Sequence, residues 1–287
     1  MKIIQSFAEF EEGSPYGGNK NVKFNFYSFL LSYLTLKKYY GHVTMFCNKK
    51  AYDDFIKYIP YDKIILMENK NDFIFWSYYK IDAMMMMNEK FIHVDSDVFI
   101  FDDLFNEFIS NNYDIIVQNR WIREQNNYIR DFVDFNKEFV VNNDIINPNI
   151  YDGGSLCSGV VGMNLNTRNQ YVRLTKIIKE GYIAEKLKNI EGNAVSLISE
   201  ELPLYLLSLK NNLKVLDILP NDLIKKYGVV GAGNMKKYTH MWFSTKLNSQ
   251  YVEIMKLKIK KEFPKYDDLV KYYDEKVIDK LVCDDNR

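Results

Sequence analysis

The first hundred residues alternate between short apolar runs with strand character and longer stretches with helical character, and this alternation most restricts the fold. Ile3 to Phe7 reads as a strand, Val22 to Tyr40 as a helix with Gly41 just past its end, and Val43 to Cys47 as a second strand. Ala51 to Tyr58 is a short helix stopped by Pro60, Lys63 to Met67 a third strand, and Trp76 to Asn88 a helix leading into a fourth strand at Phe91. Parallel strands need long crossovers, usually helical, so the order predicts an α/β domain. Its central sheet is mostly parallel with helices on both faces.

The fourth strand carries the residues that stand out. In Phe91-Ile92-His93-Val94-Asp95-Ser96-Asp97-Val98-Phe99-Ile100-Phe101 two carboxylates interrupt an apolar run. If the strand ends near Asp95, both sit at the C-terminal lip of the sheet, where open α/β sheets receive ligands. Two like charges about 5 Å apart repel by roughly 3 kcal/mol at an effective dielectric of about 20. A divalent cation relieves that cost, and carboxylate oxygens suit Mg or Mn.

Downstream, Asp103 to Ser110 reads as helix and Tyr113 to Gln118 as strand. The polar, Asn- and Asp-rich stretch from Asn119 to Ile150 shows little periodicity and reads as an irregular, lid-like insertion near an acceptor. The loop Asp152-Gly153-Gly154-Ser155 precedes a strand from Ser158 to Leu165. Helices follow over Arg168 to Glu180 and Val195 to Lys210, then a strand over Lys214 to Ile218. Beyond Pro220 come Gly228, Gly231 and Gly233, then Tyr238-Thr239-His240-Met241-Trp242, and two charged amphipathic helices over Ser249 to Phe263 and Tyr266 to Val282. No repeat or linker separates independent units, so the expected organisation is one catalytic domain over 1–246. It comprises halves 1–118 and 119–246, with a helical extension over 247–287.

Composition narrows the partners. With 38 Lys+Arg against 38 Asp+Glu the formal charge is zero, which argues against a general nucleic-acid binder. The 22 Tyr and 19 Phe are plentiful, but aromatic residues mostly fill cores. Cys47, Cys157 and Cys283 have neither metal-type spacing nor a disulfide framework, so a reducing compartment is the default. The run from Met1 to Phe7 is too short for a secretory leader and meets Glu9, Glu11 and Glu12, while Met84 to Met87 is broken by Asn88 and Glu89. A cytoplasmic location is expected, with at most peripheral contact between the basic faces of the last helices and the inner membrane surface.

Taken together, the parallel α/β half, the Asp-any-Asp at a strand end, the glycine-serine strand and the late His240 resemble the A-type fold of nucleotide-sugar glycosyltransferases. Trp76-Ser77-Tyr78-Tyr79-Lys80-Ile81 followed by the Asp95 and Asp97 motif resembles bacterial members that assemble surface glycans. The motif order is also similar to the retaining galactosyltransferase and glycogenin-like group. The likeness in order reaches to about His240.

The resemblance implies a single A-type domain using Mn or Mg and a nucleoside-diphosphate sugar, with a UDP-sugar favoured and a glycan or lipid-linked acceptor. It implies that Asp97 binds the metal directly and that Asp95 holds the metal, through water, or the ribose hydroxyls. His240 would be the third metal ligand and Lys246 would meet the diphosphate. Gln5 and Ser6 would receive base and ribose, and Lys80 would contact donor phosphate or sugar. Asp152 and the pair Glu200 and Glu201 are candidate catalytic contacts to the donor sugar, and retention of configuration is the expected outcome.

Each assignment has a plainer alternative. Asp95 and Asp97 could end a strand, His240 could be a packed histidine, and Glu200 and Glu201 could favour a helix N-terminus. Two other classes stay open. A haloacid-dehalogenase-like phosphatase also uses Asp-any-Asp after a strand, though Phe99 stands where it normally has Thr or Val. A non-catalytic cation- or glycan-binding protein is the other.

Overall fold

The structure, a computed structural model, describes residues 1–10, 22–121, 127–145, 151–190, 194–241 and 248–275. In chain order the strands are β1 (Lys2–Phe7), β2 (Val43–Cys47), β3 (Lys63–Leu66), β4 (Phe91–Val94), β5 (Val98–Ile100) and β6 (Ile115–Val117). They continue with β7 (Arg120–Trp121), β8 (Ser155–Leu156), β9 (Val160–Met163), β10 (Val215–Asp217) and β11 (Tyr238–His240). The helices are α1 (Val22–Tyr40), α2 (Lys49–Asp54), α3 (Trp76–Met85), α4 (Asn106–Ser110), α5 (Asn127–Phe135) and α6 (Lys137–Asn142). After them come α7 (Leu165–Ile183), α8 (Ala194–Lys210), α9 (Asn221–Met235), α10 (Ser249–Glu262) and α11 (Asp267–Tyr273).

Seven strands form one sheet in the order β10-β6-β9-β4-β1-β2-β3, parallel except for β9, which runs antiparallel to both β4 and β6. The expected α/β architecture is therefore present, with helices on both faces. Strand periodicity explains it. Ile3, Ile92, Val94 and Val160 enter one core with α1 and α10, while Ile4, Phe91, Val161 and Met163 enter the other with α3, α7 and α8. Along α1, Phe26, Tyr27, Leu30 and Leu36 are fully buried, at roughly 1.5–3 kcal/mol each, so burial outweighs intrinsic propensity in holding this helix. Gly41 closes α1 at φ +78, a left-handed position that favours glycine.

Two expectations change, and two stretches that the sequence left open take definite form. The run from Phe91 to Phe101 divides at the carboxylates, where Val98 N donates to Asp95 O (3.0 Å) in a turn, and β5 leaves the large sheet to pair with β11. The stretch read as irregular from Asn119 contains α5 and α6. Ile129, Phe132 and Val133 give α5 an i, i+3, i+4 apolar face, which the polar residues between them hide in average composition. The strand read over Ser158 to Leu165 is β9 alone, with β8 a separate two-residue strand paired to β7. The glycine-rich stretch after Pro220 is the helix α9, kinked at Gly228 (φ 71).

The strands from β1 to β3 extend one way in the sheet and those from β4 to β10 the other, so the order reverses between β1 and β4. A crevice opens at such a switch point, beyond the carboxyl ends of the strands. Phe7 and Val94 are those ends here. Among the described residues no helix is long and apolar enough to cross a membrane.

Candidate functional site

Asp95, Ser96 and Asp97 form the turn at the carboxyl end of β4. Gly159 O accepts from Asp95 N (2.9 Å), and α1 fixes the other side, with Ser28 Oγ donating to Ser96 O (2.9 Å) and Ser32 Oγ to Val98 O (2.6 Å). The turn sends the chain into β5, whose partner β11 is in register His240 opposite Val98. Met241 N extends this ladder to Asp97 O at 2.9 Å. Backbone pairing thus carries His240 to the carboxylates across more than 140 residues of sequence.

One ligand atom from each of Asp95, Asp97 and His240 lies within 4.8 Å of the others. His240 Nε2 is 3.4 Å from Asp97 Oδ1, while Nδ1 is 2.7 Å from Gln118 Oε1. Two carboxylates and one imidazole nitrogen form a mixed oxygen and nitrogen donor set of the kind that can hold a divalent cation.

Lys80, on α3, is buried beside this cluster. Its ammonium donates to Ser158 O (2.6 Å) and is ion-paired with Asp95 Oδ1 (2.8 Å) and Glu200 Oε1 (3.0 Å). Burial alone pushes the Lys80 ammonium down, but Asp95 and Glu200 outweigh it and hold the group above its ordinary value. Burial raises the Asp95 carboxyl from its ordinary value, with Lys80 opposing and Asp97 adding to the rise. Glu200 is pushed up to about 7 by burial, again against Lys80.

Gln5 and Ser6 are neighbours on β1 and face opposite sides. Gln5 Nε2 donates to Ser32 Oγ (2.8 Å) and Gln5 Oε1 accepts from Tyr61 (2.8 Å), so this fully buried amide is engaged at both ends within the protein. Ser6 Oγ is 2.8 Å from His93 Nε2, and His93 Nδ1 is 3.6 Å from Asp95 Oδ1. Burial and then Lys80 hold His93 well below its usual value, hence neutral.

Glu200 and Glu201 lie in the middle of α8 and are buried, which removes the helix-N-terminus explanation for them. Glu200 joins the Lys80 cluster. Glu201 Oε2 instead accepts from Tyr128 (2.5 Å) and Ser155 Oγ (3.2 Å). Asp152 is exposed, with Oδ1 accepting from Tyr205 (2.5 Å) and Gly154 N (3.1 Å). Lys246 lies outside the described residues. The structure thus brings Asp95, Asp97, His240, Lys80 and Glu200 together, sets Ser6 and its partner His93 beside them, and gives Gln5, Glu201 and Asp152 other partners.

Several residues of the site left no pattern in the sequence. His93, Ser158 and Gln118 act through contacts between distant segments, and each is a common residue type without a spacing signal. Gly159 gave no signal of a role at the site either. A Cβ there would fall 2.5 Å from Gln118 Oε1 and 2.7 Å from His240 Nδ1.

No curated protein matches this sequence. Among solved structures, the chain is similar to mouse xyloside xylosyltransferase 1 (12% identity, 75% of this chain and 84% of that one, TM-score 0.39). It is also similar to the galactosyltransferase LgtC in complex with donor and acceptor sugar analogues (8% identity, 70% and 71%, TM-score 0.39). A further likeness is to the bifunctional glycosyltransferase WbbM (14% identity, 61% of this chain and 34% of that one, TM-score 0.35). All three are described as glycosyltransferases, and at these TM-scores they are distant likenesses only. One family model matches residues 1–272, and the chain belongs to that family, DUF6734, a family of unknown function.

Proposed function

We propose that the protein is a metal-dependent glycosyltransferase that moves a sugar, a hexose in the favoured case, from a nucleoside-diphosphate sugar to a hydroxyl of a glycan or lipid-linked acceptor. The observation that carries this reading is the convergence of Asp95, Asp97 and His240 at the carboxyl end of β4, beside the switch point of the sheet. A bound Mn or Mg supplies positive charge for the diphosphate leaving group as the glycosidic bond breaks.

The chain's own residues have separable tasks in this reading. Asp97 and His240 hold the cation, and Asp95 completes the set while Lys80 fixes its orientation (2.8 Å). Because the buried Lys80 ammonium is already paired with Asp95 and Glu200 and donates to Ser158 O, its role is to position those carboxylates rather than to grip phosphate. Residues 1–118 form the nucleotide-holding half, with Ser6 and Gln5 on the β1 side, and residues 119–246 the half for acceptor and donor sugar. The described part of the helical extension is α10 and α11. Glu200, buried and pushed up to about 7, is suited to exchange a proton or accept a hydroxyl of the donor sugar near neutral pH. Asp152 and Glu201, held by Tyr205 and Tyr128, are the further sugar contacts, and Lys246 the diphosphate contact. Retention is favoured, with the departing phosphate oxygen taking the acceptor proton. UDP-sugars are the first donors to try, and the reading keeps a cytoplasmic location with at most peripheral membrane contact.

The test is incubation of the full chain with a panel of nucleotide sugars with Mn or with chelator. Metal-dependent release of nucleoside diphosphate supports the reading. Metal-dependent nucleotide binding without turnover on any donor or acceptor favours the non-catalytic alternative, and phosphate release without sugar transfer favours the phosphatase.

A further inference from the structure

We propose that Gln118 is a positioning residue of the Asp95, Asp97 and His240 cluster: its side-chain oxygen fixes the His240 tautomer whose Nε2 carries the lone pair for a divalent cation. This rests on the cation-binding reading of the cluster.

Gln118 is fully buried at the end of β6, and its backbone is pinned by Leu219 N donating to Gln118 O at 2.8 Å. Tyr238 and His240 are two residues apart on β11 and so present their side chains to the same face. Both converge on one atom. Gln118 Oε1 is 2.7 Å from the Tyr238 hydroxyl and 2.7 Å from His240 Nδ1. A carbonyl oxygen has two lone pairs and no proton, so it takes one donor from each. Nδ1 must then carry the imidazole proton, and Nε2 keeps the lone pair a metal requires. That nitrogen is the one 3.4 Å from Asp97 Oδ1.

The surroundings are shaped around this contact. Any side chain at position 159 would put a Cβ 2.5 Å from Gln118 Oε1 and 2.7 Å from His240 Cε1, so only glycine leaves the pair its room. The Gln118 Nε2 end is buried without a hydrogen-bond partner among the described residues, so none of these seats the amide by its nitrogen. The amide has an opposite orientation with opposite consequences. If its NH2 faced Nδ1, the imidazole proton would move to Nε2 and close that atom to a cation. Glutamate at this position has no such orientation, because an ionised carboxylate only accepts.

The probe is Mn with the full chain, read by titration calorimetry and by the nitrogen coupling of an imidazole ligand in pulsed electron paramagnetic resonance. Thermal melts confirm that each variant folds. Gln118→Leu is expected to weaken Mn binding by about 10- to 100-fold and to lose the nitrogen coupling, while Gln118→Glu keeps both. Retention of affinity and coupling by Gln118→Leu overturns the inference while leaving the cation site intact. If Gln118→Leu does not fold, Gln118→Glu decides, and a tenfold loss of affinity in that folded variant overturns the inference. Wild-type protein that binds Mn without nitrogen coupling overturns the role of Gln118 but not a carboxylate cation site. Wild-type protein that binds no Mn overturns the cation reading and this inference with it.

Discussion

At the scale of single residues, the site is governed by charges that burial makes costly and neighbours make tolerable. Lys80 neutralises Asp95 and Glu200 from inside the protein, where an unpaired carboxylate is expensive. Lys80→Met is therefore expected to cost about 3–5 kcal/mol in urea unfolding, and pairing it with Glu200→Gln is expected to recover more than 1 kcal/mol. Strict additivity of the two changes would contradict the pairing. Glu9, at the lip of the sheet beyond β1, gives a pH signature. Burial pushes its carboxyl from 4.5 up to about 7, with Asp54 adding and Lys50 opposing, so the folded chain holds this proton more tightly than the unfolded one. Its stabilising contribution is full below about pH 4.5 and is lost as pH rises through about 7. Glu9→Gln removes that loss, so the variant should gain on wild type by up to about 3 kcal/mol between pH 5 and pH 8 in chemical unfolding. A gap that does not change with pH would contradict the account. The two carboxylates of the β4 turn were legible in the sequence because they break an apolar run, whereas Gln118 and His93 were not. A lone amide or imidazole beside apolar residues looks the same whether it faces a core or a ligand.

At the scale of elements, pairing does the work that sequence spacing cannot show. The early strands and helices were readable because period-2 and period-3.6 patterns are local properties, and β1, α1 and β2 match their expected bounds closely. The departures are equally physical. The antiparallel β9 slots between β4 and β6 because tertiary pairing, not local pattern, sets strand direction. It fits there through Gly162, where a Cβ would lie 2.5 Å from Ile116 Cγ2 and 2.8 Å from Ile92 Cγ1. Gly162→Ala is expected to destabilise the protein by about 1–3 kcal/mol in denaturant unfolding, through overpacking of β4 and β6 rather than through backbone strain. No measurable change would mean that the three strands are packed less tightly than described. The helix α5 was hidden because its apolar face is only part of a polar stretch. The β5 and β11 ribbon was hidden because its two halves are remote in sequence, yet it is the element that brings His240 to Asp97.

At the scale of the whole molecule, the sheet order puts the acidic turn where an open α/β sheet offers a crevice, and the helices of both layers reach it. From one face α1 fixes the turn through Ser28 and Ser32, and from the other α3 and α8 supply Lys80 and Glu200. The fold class was legible from the strand and helix alternation, but the reversal between β1 and β4 was not, since local pattern does not fix strand order. The central claim is that this arrangement holds a divalent cation for transfer from a nucleotide sugar. The most direct measurement is nucleoside-diphosphate release from a panel of nucleotide sugars by wild type and by Asp97→Asn, each with Mn and with chelator. The account predicts release by wild type only with metal and a loss of at least about 100-fold in a folded Asp97→Asn variant, the size expected when a group stabilising developing charge is removed. Full activity in Asp97→Asn, or turnover unaffected by chelator, would contradict it.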